Sequence, residues 1–482
     1  MVKIFFWVAV LAASAVLPAS VSAAEEQTLA RMRAELEQLK NLYEARLVAL
    51  ERRLQVAEQR TALPAASEVS NAPERLMLSS TATPLSAFVP NANPGANQAA
   101  SSQKFNPDLS LILGGSYARL SQDPRQYRIQ GFFPAGGEVG PGQRSFSLGE
   151  SELSLAANVD PTFSGKLTFS LSADNQASVE EAFVQTQALA NQGVGAGLKL
   201  QAGRFLSSLG YLNNQHAHVW DFVDVPLVYQ AMFGGQYRPD GVQLTWLVPT
   251  DRFFELGFEL SNGSGFPGTE RNQNGAGATT AFAHIGDDLG ENASWRVGLS
   301  HLQTRAEDRV YSDTVDQVRN AFSGKSTTWV LDGVYKWAPY GNGTYRNFKL
   351  QAEYFQRREE GTLTYDPDGV ASALAMTHAP SGGYVQGVYQ FQPQWRVGLR
   401  YDRLNAPGAQ INFAERDLSV ANFPLLSAYR PERSSLMFDY SPSEMSRLRI
   451  QFADDRASPG VRDKQLFLQY IMSMGAHGAH AF

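Results

Sequence analysis

The chain has 482 residues, of which 43% are hydrophobic and 18% are charged, and its formal net charge is −6 at pH 7. The excess of 47 Asp and Glu over 41 Lys and Arg argues against a general nucleic-acid-binding protein. Because the chain has no cysteine, disulfides, thiolate catalysis and cysteine-ligated zinc or iron–sulfur centres are excluded.

Residues 1–23 have the pattern of a secretory signal peptide. Lys3 precedes an apolar run over residues 4–17, and the small residues Val21-Ser22-Ala23 follow it. A transmembrane helix needs about 20 apolar residues, so this run is too short to favour the alternative, a membrane anchor. We predict cleavage after Ala23 and export of the mature chain.

Residues 24–60 have the pattern of a long helix that pairs with other helices. The stretch is rich in helix-favouring residues, and from residue 25 to residue 60 it contains neither Pro nor Gly. Apolar residues recur at steps of three and four, at Leu29, Met32, Leu36, Leu39, Tyr43, Leu47, Leu50 and Leu54. So narrow a stripe requires a partner helix, and we predict a periplasmic coiled coil that joins copies of the chain. The alternative is a single helix lying on another protein or on peptidoglycan.

Residues 61–104 are predicted to form a disordered linker. They are rich in Ala, Ser and Asn, include five prolines and carry few charges. The coiled coil is thereby separated from the remainder of the chain.

Residues 105–482 alternate between apolar and polar side chains in short segments. Sixteen such segments begin near Asp108, Phe146, Phe163, Ser178, Gly197, Asp240, Phe253, Ala278, Ser294, Thr327, Arg346, Gly382, Gln394, Arg433, Ser446 and Asp463. Strict alternation places one face of a strand against an apolar phase and the other against water. An even number of strands of about ten residues is typical of a closed outer-membrane barrel. We therefore predict an all-β fold, a 16-stranded antiparallel transmembrane β-barrel; a water-soluble β-sandwich is the alternative.

The connections between these segments alternate in length. Tight turns at residues 160–162, 248–251, 391–393 and 441–443 alternate with long polar loops at residues 121–144, 208–239, 262–277, 306–325, 359–381 and 404–432. Outer-membrane barrels have short turns on the periplasmic side and long loops outside. With the N-terminus in the periplasm and sixteen strands, every long loop falls on the outer side.

These features together resemble a Gram-negative outer-membrane porin. The terminal Phe482 is similar to the assembly signal of outer-membrane barrels, and residues 466–482 resemble proteins labelled zinc-regulated TonB-dependent outer-membrane receptors. Those receptors are themselves similar to phosphate-selective porins. The resemblance implies a homotrimer in outer-membrane lipid, inserted by the barrel-assembly machinery.

A TonB-dependent receptor differs from this chain in size. Its family combines a globular plug domain with 22 strands, whereas here a predicted coiled coil and linker precede a shorter barrel region. We therefore expect a passive porin for small ions, including divalent metal ions such as zinc. The alternatives are a phosphate-type anion porin, a TonB-dependent metal receptor and a structural tether of the outer membrane.

The third external loop of porins folds into the lumen, and here the corresponding residues 208–239 are rich in aromatic and apolar residues. This composition indicates packing against the barrel wall. The same loop concentrates His216, His218, Asp221 and Asp224, side chains that suit zinc or a similar ion at a pore constriction. The alternative is that they hydrogen-bond the loop to the wall without any metal ion.

Basic residues have the inward parity of the later strands. They are Lys349, Arg357, Arg396, Arg400, Arg447 and Arg449. Opposite acidic residues of the loop, such a basic wall would set up a transverse field that selects ions by charge. Alternatively, these charges pair with one another. A dominant basic wall favours anions, whereas dominant loop residues favour cations.

No motif of an enzyme is found in the sequence. It has neither a nucleophile–base–orienter set nor a phosphate-binding Gly-rich loop, and no cofactor is expected beyond transported or weakly bound zinc. His477 and His480 are interpreted as part of the terminal assembly segment.

Deletion of residues 25–60 should convert the oligomer into monomers, because it removes the predicted helix partner. Unheated gel electrophoresis and light scattering of the detergent-purified protein would measure the change. Deletion of residues 61–104 is the matched control and should leave the oligomer intact. An oligomer that survives the first deletion unchanged would contradict the coiled-coil prediction.

Overall fold

The computed structural model describes residues 107–136, 139–172, 176–187, 196–313, 318–413 and 417–475. The predicted signal peptide, coiled coil and linker lie outside these residues, as do His477, His480 and Phe482, so these assignments stay predictions. Across the described ranges, helices are all too short or too polar to traverse a bilayer.

Sixteen antiparallel strands form the wall, as predicted. Their bounds are β1 Asp108–Leu120, β2 Ser145–Leu148 with Ser151–Asn158, β3 Phe163–Leu171, β4 Ala177–Thr186, β5 Leu198–Arg204, β6 Asp240–Leu247, β7 Phe253–Ser261, β8 Ala278–Leu289, β9 Ala293–Ser312, β10 Arg319–Trp337, β11 Asn347–Tyr365, β12 Ser372–His378 with Ser381–Gln392, β13 Trp395–Asn405, β14 Glu432–Ser443, β15 Ser446–Arg456 and β16 Asp463–Gly475. β2 and β12 are each interrupted once. A short segment, Gln410–Asn412, pairs with the first part of β12.

Helical structure in the described residues is confined to the connections. One α-helix, α1, spans Leu227–Phe233. Single 3₁₀ turns occur at Pro124–Gln126, Ala217–Val219, Pro339–Gly341, Val420–Asn422 and Pro424–Leu426.

The sheet closes on itself. Each strand pairs with the next along the chain, and β1 pairs with β16 from Ser110 opposite Gly475 to Leu120 opposite Gln465. Closure removes the free strand edges, so the backbone N–H and C=O groups of the wall have partners within the sheet.

The two faces of the wall have the reverse polarity of a soluble barrel. On β15 the outward side chains Leu448, Ile450 and Phe452 are 43–48% exposed, whereas the inward Arg449 and Gln451 are at most 2% exposed. The same pattern recurs around the circumference, with Leu153, Phe169, Leu200, Leu244, Phe258, Leu299, Leu331, Leu399, Phe438 and Leu468 facing outward. An apolar exterior around a polar interior is the arrangement of a transmembrane barrel.

The strands continue further than the sequence pattern indicated on one side of the barrel. β9, β10 and β11 have 20, 19 and 19 residues, so most of the loops predicted at 306–325 and 359–381 is strand. The connections shrink to residues 313–318 and 366–371. The prediction was wrong here because the outward side chains Lys325, Arg358 and Glu360 are charged, which removes the apolar alternation while the backbone pairing persists.

Leu399→Arg should destabilise the folded barrel in a bilayer by about 2–4 kcal/mol, since it places a cation on the lipid-facing side of β13. Leu399 lies in mid-strand and is 63% exposed. Urea titration of refolding into lipid vesicles would measure the loss. The control Val370→Arg, on the exposed 366–371 connection, should have little effect, and equal effects of the two substitutions would argue against lipid contact at Leu399.

Candidate pore constriction and charged lumen

The connection between β5 and β6, residues 205–239, folds into the barrel and is called the lumen loop here. Phe205, Leu209 and every residue of α1 are buried, although the segment connects two strands. The inward packing predicted from its apolar composition is therefore what the structure has.

The two ends of the lumen loop are fastened to each other and to β7. The Asn213 amide donates to the Ser207 carbonyl at 2.8 Å and to the Tyr237 carbonyl at 2.9 Å, and its oxygen accepts the Tyr237 N–H at 2.7 Å. On β7, Glu259 accepts the Ser207 hydroxyl at 2.7 Å and the Ser208 N–H at 3.1 Å. These contacts fix where the loop leaves the wall.

Glu353 of β11 is the buried anchor of the middle of the loop. Its carboxylate accepts the backbone N–H groups of Tyr211 at 3.2 Å and Leu212 at 3.0 Å. It also accepts the hydroxyls of Tyr229 at 2.8 Å and Tyr384 at 2.6 Å. Four donors compensate the desolvation of one carboxylate, which otherwise would be strongly unfavourable.

The far part of the loop is bonded to β13, β14 and β15. Asp402 accepts the Leu227 N–H at 2.8 Å, where α1 begins, and Arg433 donates to the Val225 carbonyl at 2.8 Å. Two further bonds join the Gln451 side chain to the Val223 N–H at 2.8 Å and Arg449 to the Trp220 carbonyl at 2.7 Å. The lumen loop therefore contacts wall strands on opposite sides of the barrel and narrows the interior.

Asp221 lies against the basic wall. Its carboxylate forms ion pairs with Lys349 and with Arg396, the latter at 3.2 Å. Burial raises the pKa of Asp221, but the charges of Lys349 and Arg396 outweigh that effect and hold the pKa well below its usual range. Asp221 is thus an ionised docking group.

Asp224, three residues after Asp221, also docks the loop on cations of the wall. Its carboxylate is 2.7 Å from Arg400 and 2.6 Å from Arg433. Burial raises its pKa, whereas the two guanidinium groups and the Gln451 amide lower it to about 2, which is the net result.

The two histidines face the other side of the barrel. His216 Nε2 is 2.9 Å from Glu181, and its Nδ1 is 3.3 Å from Glu152 and 3.5 Å from Glu180. His218 Nδ1 is 2.9 Å from Glu152. We call Glu152, Glu180 and Glu181 the acidic cluster. Burial lowers the pKa of His216, but these carboxylates outweigh burial and raise it well above its ordinary value.

The structure therefore does not bring the four predicted constriction residues together. His216 and His218 contact the acidic cluster on β2 and β4, whereas Asp221 and Asp224 pair with the basic wall. The imidazoles lie apart from the aspartates, because the imidazoles pair with the acidic cluster and the aspartates pair with cations of the basic wall.

All six predicted basic-wall residues face the interior. Ion pairs with carboxylates are formed by Lys349, Arg396, Arg400, Arg447 and Arg449. Arg357 is buried and donates to the Met232 carbonyl at the end of α1 and to the Thr328 hydroxyl. These wall cations pair with carboxylates and loop carbonyls in the structure.

The charges nevertheless remain unequal across the lumen. We call Lys349, Arg396, Arg447 and Arg449 the basic cluster; within the described residues, these four cations share the two carboxylates of Asp221 and Asp439. On the opposite side, the three carboxylates of the acidic cluster face Lys166, Arg238 and the imidazole of His216, whose pKa they raise. The excess of positive charge therefore lies on the wall strands β11, β13 and β15.

Sequence reasoning missed several acidic wall residues near the loop. Glu152, Glu181 and Asp439 have inward parity on predicted strands, and that parity was the available signal. Glu180 had no such signal, because a β-bulge opposite Thr168 and Phe169 turns both Glu180 and Glu181 inward.

Glu353→Gln should loosen the lumen loop, because a neutral amide cannot accept all four hydrogen bonds, at a cost of about 1–3 kcal/mol. Limited proteolysis should then cleave within residues 205–239 faster than in the unchanged protein. Glu360→Gln, an exposed outward position on the same strand, is the control. Equal cleavage rates in the two variants would mean that Glu353 does not anchor the loop.

No family model matches the chain. Among solved structures it is similar to a loop L8 deletion mutant of OmpT, an outer membrane protein of Vibrio cholerae, at 12% identity and a TM-score of 0.48, covering 76% of this chain and 99% of that one. It is also similar to the outer membrane channel DcaP of Acinetobacter baumannii, at 14% identity and a TM-score of 0.43, covering 76% and 97%. The anion-selective porin from Comamonas acidovorans has 11% identity and a TM-score of 0.42, with coverage of 76% and 99%.

The similarity in sequence is stronger for an uncharacterized protein of Aquifex aeolicus. It is 31% identical over 405 residues, which make up 79% of this chain and 81% of the relative. The chain belongs to the same family as this Aquifex aeolicus protein.

Proposed function

We propose that the protein is a bacterial outer-membrane porin that lets small ions diffuse passively through its lumen. The observation that carries the proposal is a closed barrel with an apolar exterior, a charged interior and an inward-folded loop. In a bilayer, the outward leucines and aromatics contact lipid, and the charged interior holds water and ions.

The proposed orientation follows from the connections. The short turns face the periplasm and the long connections, including the lumen loop, begin on the outer side. The predicted coiled coil then extends into the periplasm and joins three copies of the barrel.

Selectivity in this proposal arises at the lumen loop. A permeating ion passes between the acidic cluster on β2 and β4 and the basic cluster on β11, β13 and β15. Fixed charges in such a narrow, low-dielectric passage act on an ion more strongly than in bulk water.

Single-channel recording in planar lipid bilayers tests the function. The mature protein should give discrete conductance steps without any energy source. An energised receptor would not conduct in that system, and a structural tether would be closed to ions. Absence of steps from correctly folded protein, checked by its heat-dependent gel mobility, would overturn the porin proposal.

A preference for anions such as phosphate is the second candidate, and the basic cluster favours it. Four cations share two carboxylates there, so an excess of two positive charges borders the lumen. Arg447 has the weakest of these pairings, since its nearest carboxylate, Asp439, is 3.9 Å away.

Arg447→Gln should shift the reversal potential in a KCl gradient toward cation selectivity. One unit charge about 7 Å from a permeating ion contributes about 0.6 kcal/mol in water, roughly a threefold change in permeability ratio. Arg358→Gln removes an exposed outward arginine and should leave the reversal potential unchanged. If both variants behave like the parent protein, the basic cluster does not select anions.

A further inference from the structure

We propose that His216, Glu152 and Glu180 bind one divalent transition-metal ion of the zinc class inside the barrel. The site deepens the proposed function by naming a cation that interacts with the lumen. It rests on that function only for the entry of the ion into the lumen.

The three donor atoms already have the spacing that such an ion needs. His216 Nδ1 lies 3.3 Å from Glu152 Oε2 and 3.5 Å from Glu180 Oε2, and the three ligand atoms are all within 4.8 Å of one another. Two ligands about 2.1 Å from a tetrahedral ion are about 3.4 Å apart. An ion can therefore be inserted with small side-chain shifts.

Two of the donor atoms lack hydrogen-bond partners within the described part of the chain. Glu180 is 1% exposed, and its Oε2 is buried, unpartnered and directed at His216. His216 Nδ1 is buried and unpartnered as well. Burying such atoms without a partner is unfavourable, and a shared cation would satisfy both.

The other polar atoms of these residues are held by a second layer of contacts. His216 Nε2 lies 2.9 Å from Glu181 and 3.1 Å from Lys166 Nζ, and Glu181 also accepts from Lys166 at 2.6 Å. A carboxylate on one imidazole nitrogen fixes the tautomer that offers the other nitrogen to a metal ion.

The two ligand carboxylates are oriented in the same way. Glu152 Oε1 is 2.9 Å from His218 Nδ1, and Glu180 Oε1 is 3.3 Å from Arg238 Nη1. Each carboxylate thus has one oxygen engaged and the other directed at His216 Nδ1.

An irregularity of the backbone, the β-bulge in β4, places two carboxylates of the acidic cluster next to each other. The β-bulge that turns Glu180 inward costs one unpaired residue in β4 and puts two consecutive carboxylates on the lumen side. Three protein ligands leave a fourth position for water or for an incoming ligand, as in open zinc sites. An ion there would also fasten the lumen loop to β2 and β4.

Equilibrium dialysis of the refolded, detergent-solubilised mature chain against Zn²⁺ tests the site. His477 and His480 should be replaced by alanine in every sample, so that the terminal histidines do not contribute. We expect one Zn²⁺ per chain. His216→Gln and Glu180→Gln should each weaken binding at least about tenfold, and Glu181→Gln should weaken it by about 10- to 100-fold.

His284→Gln is the matched control. His284 is another buried lumen histidine, 2.9 Å from Glu255, and lies outside the proposed site. Its replacement should leave zinc binding unchanged. Glu180→Asp keeps a carboxylate and should retain more binding than Glu180→Gln, which separates loss of a ligand from misfolding.

Two results would overturn the proposal: no saturable zinc binding, or binding that persists in His216→Gln and Glu180→Gln. Either result means that a protonated His216 simply forms ion pairs with the acidic cluster. Bilayer conductance of the same preparation is scored separately. Stoichiometric zinc without conductance would reject the porin and keep the site, and conductance without zinc would do the reverse.

Discussion

The whole molecule depends on the need to satisfy every backbone N–H and C=O group of a sheet that is apolar on its outside. Open strand edges are not tolerated in lipid, so β1 must meet β16. Once the sheet is closed, the inward side chains have only one another, the lumen loop and water as partners. The polar character of the interior is thus a consequence of closure.

Inside that wall, buried charges act together with apolar packing of the loop against the strands. The lumen loop is fixed by buried carboxylates and guanidinium groups, each with several partners, such as Glu353 and Arg433. Multiple partners are required because removing one member of a buried pair leaves an uncompensated charge. This network holds the loop in a single position while leaving unequal charges on the two sides of the lumen.

The sequence was sufficient to locate all sixteen strands and the inward loop, since lipid on one face and water on the other impose alternation. The sequence was insufficient where a strand continues without apolar and polar side chains alternating along it. Beyond the apolar band the outward faces of β9, β10 and β11 carry charged side chains, so the periodic signal ends before the pairing does. The partners of His216 come from β2 and β4, far away in the chain, and the bulge at Glu180 reverses the parity on which sequence reasoning relies.

The unequal strand lengths determine how the barrel meets its surroundings. β9 has 20 residues and β5 has seven, and each residue adds about 3.3 Å along a strand. The rim of the barrel is therefore uneven, because β9 extends further along its own direction than β5 does. The mouth of the barrel is therefore bordered by paired strand on the β9 side and by the start of the lumen loop on the β5 side.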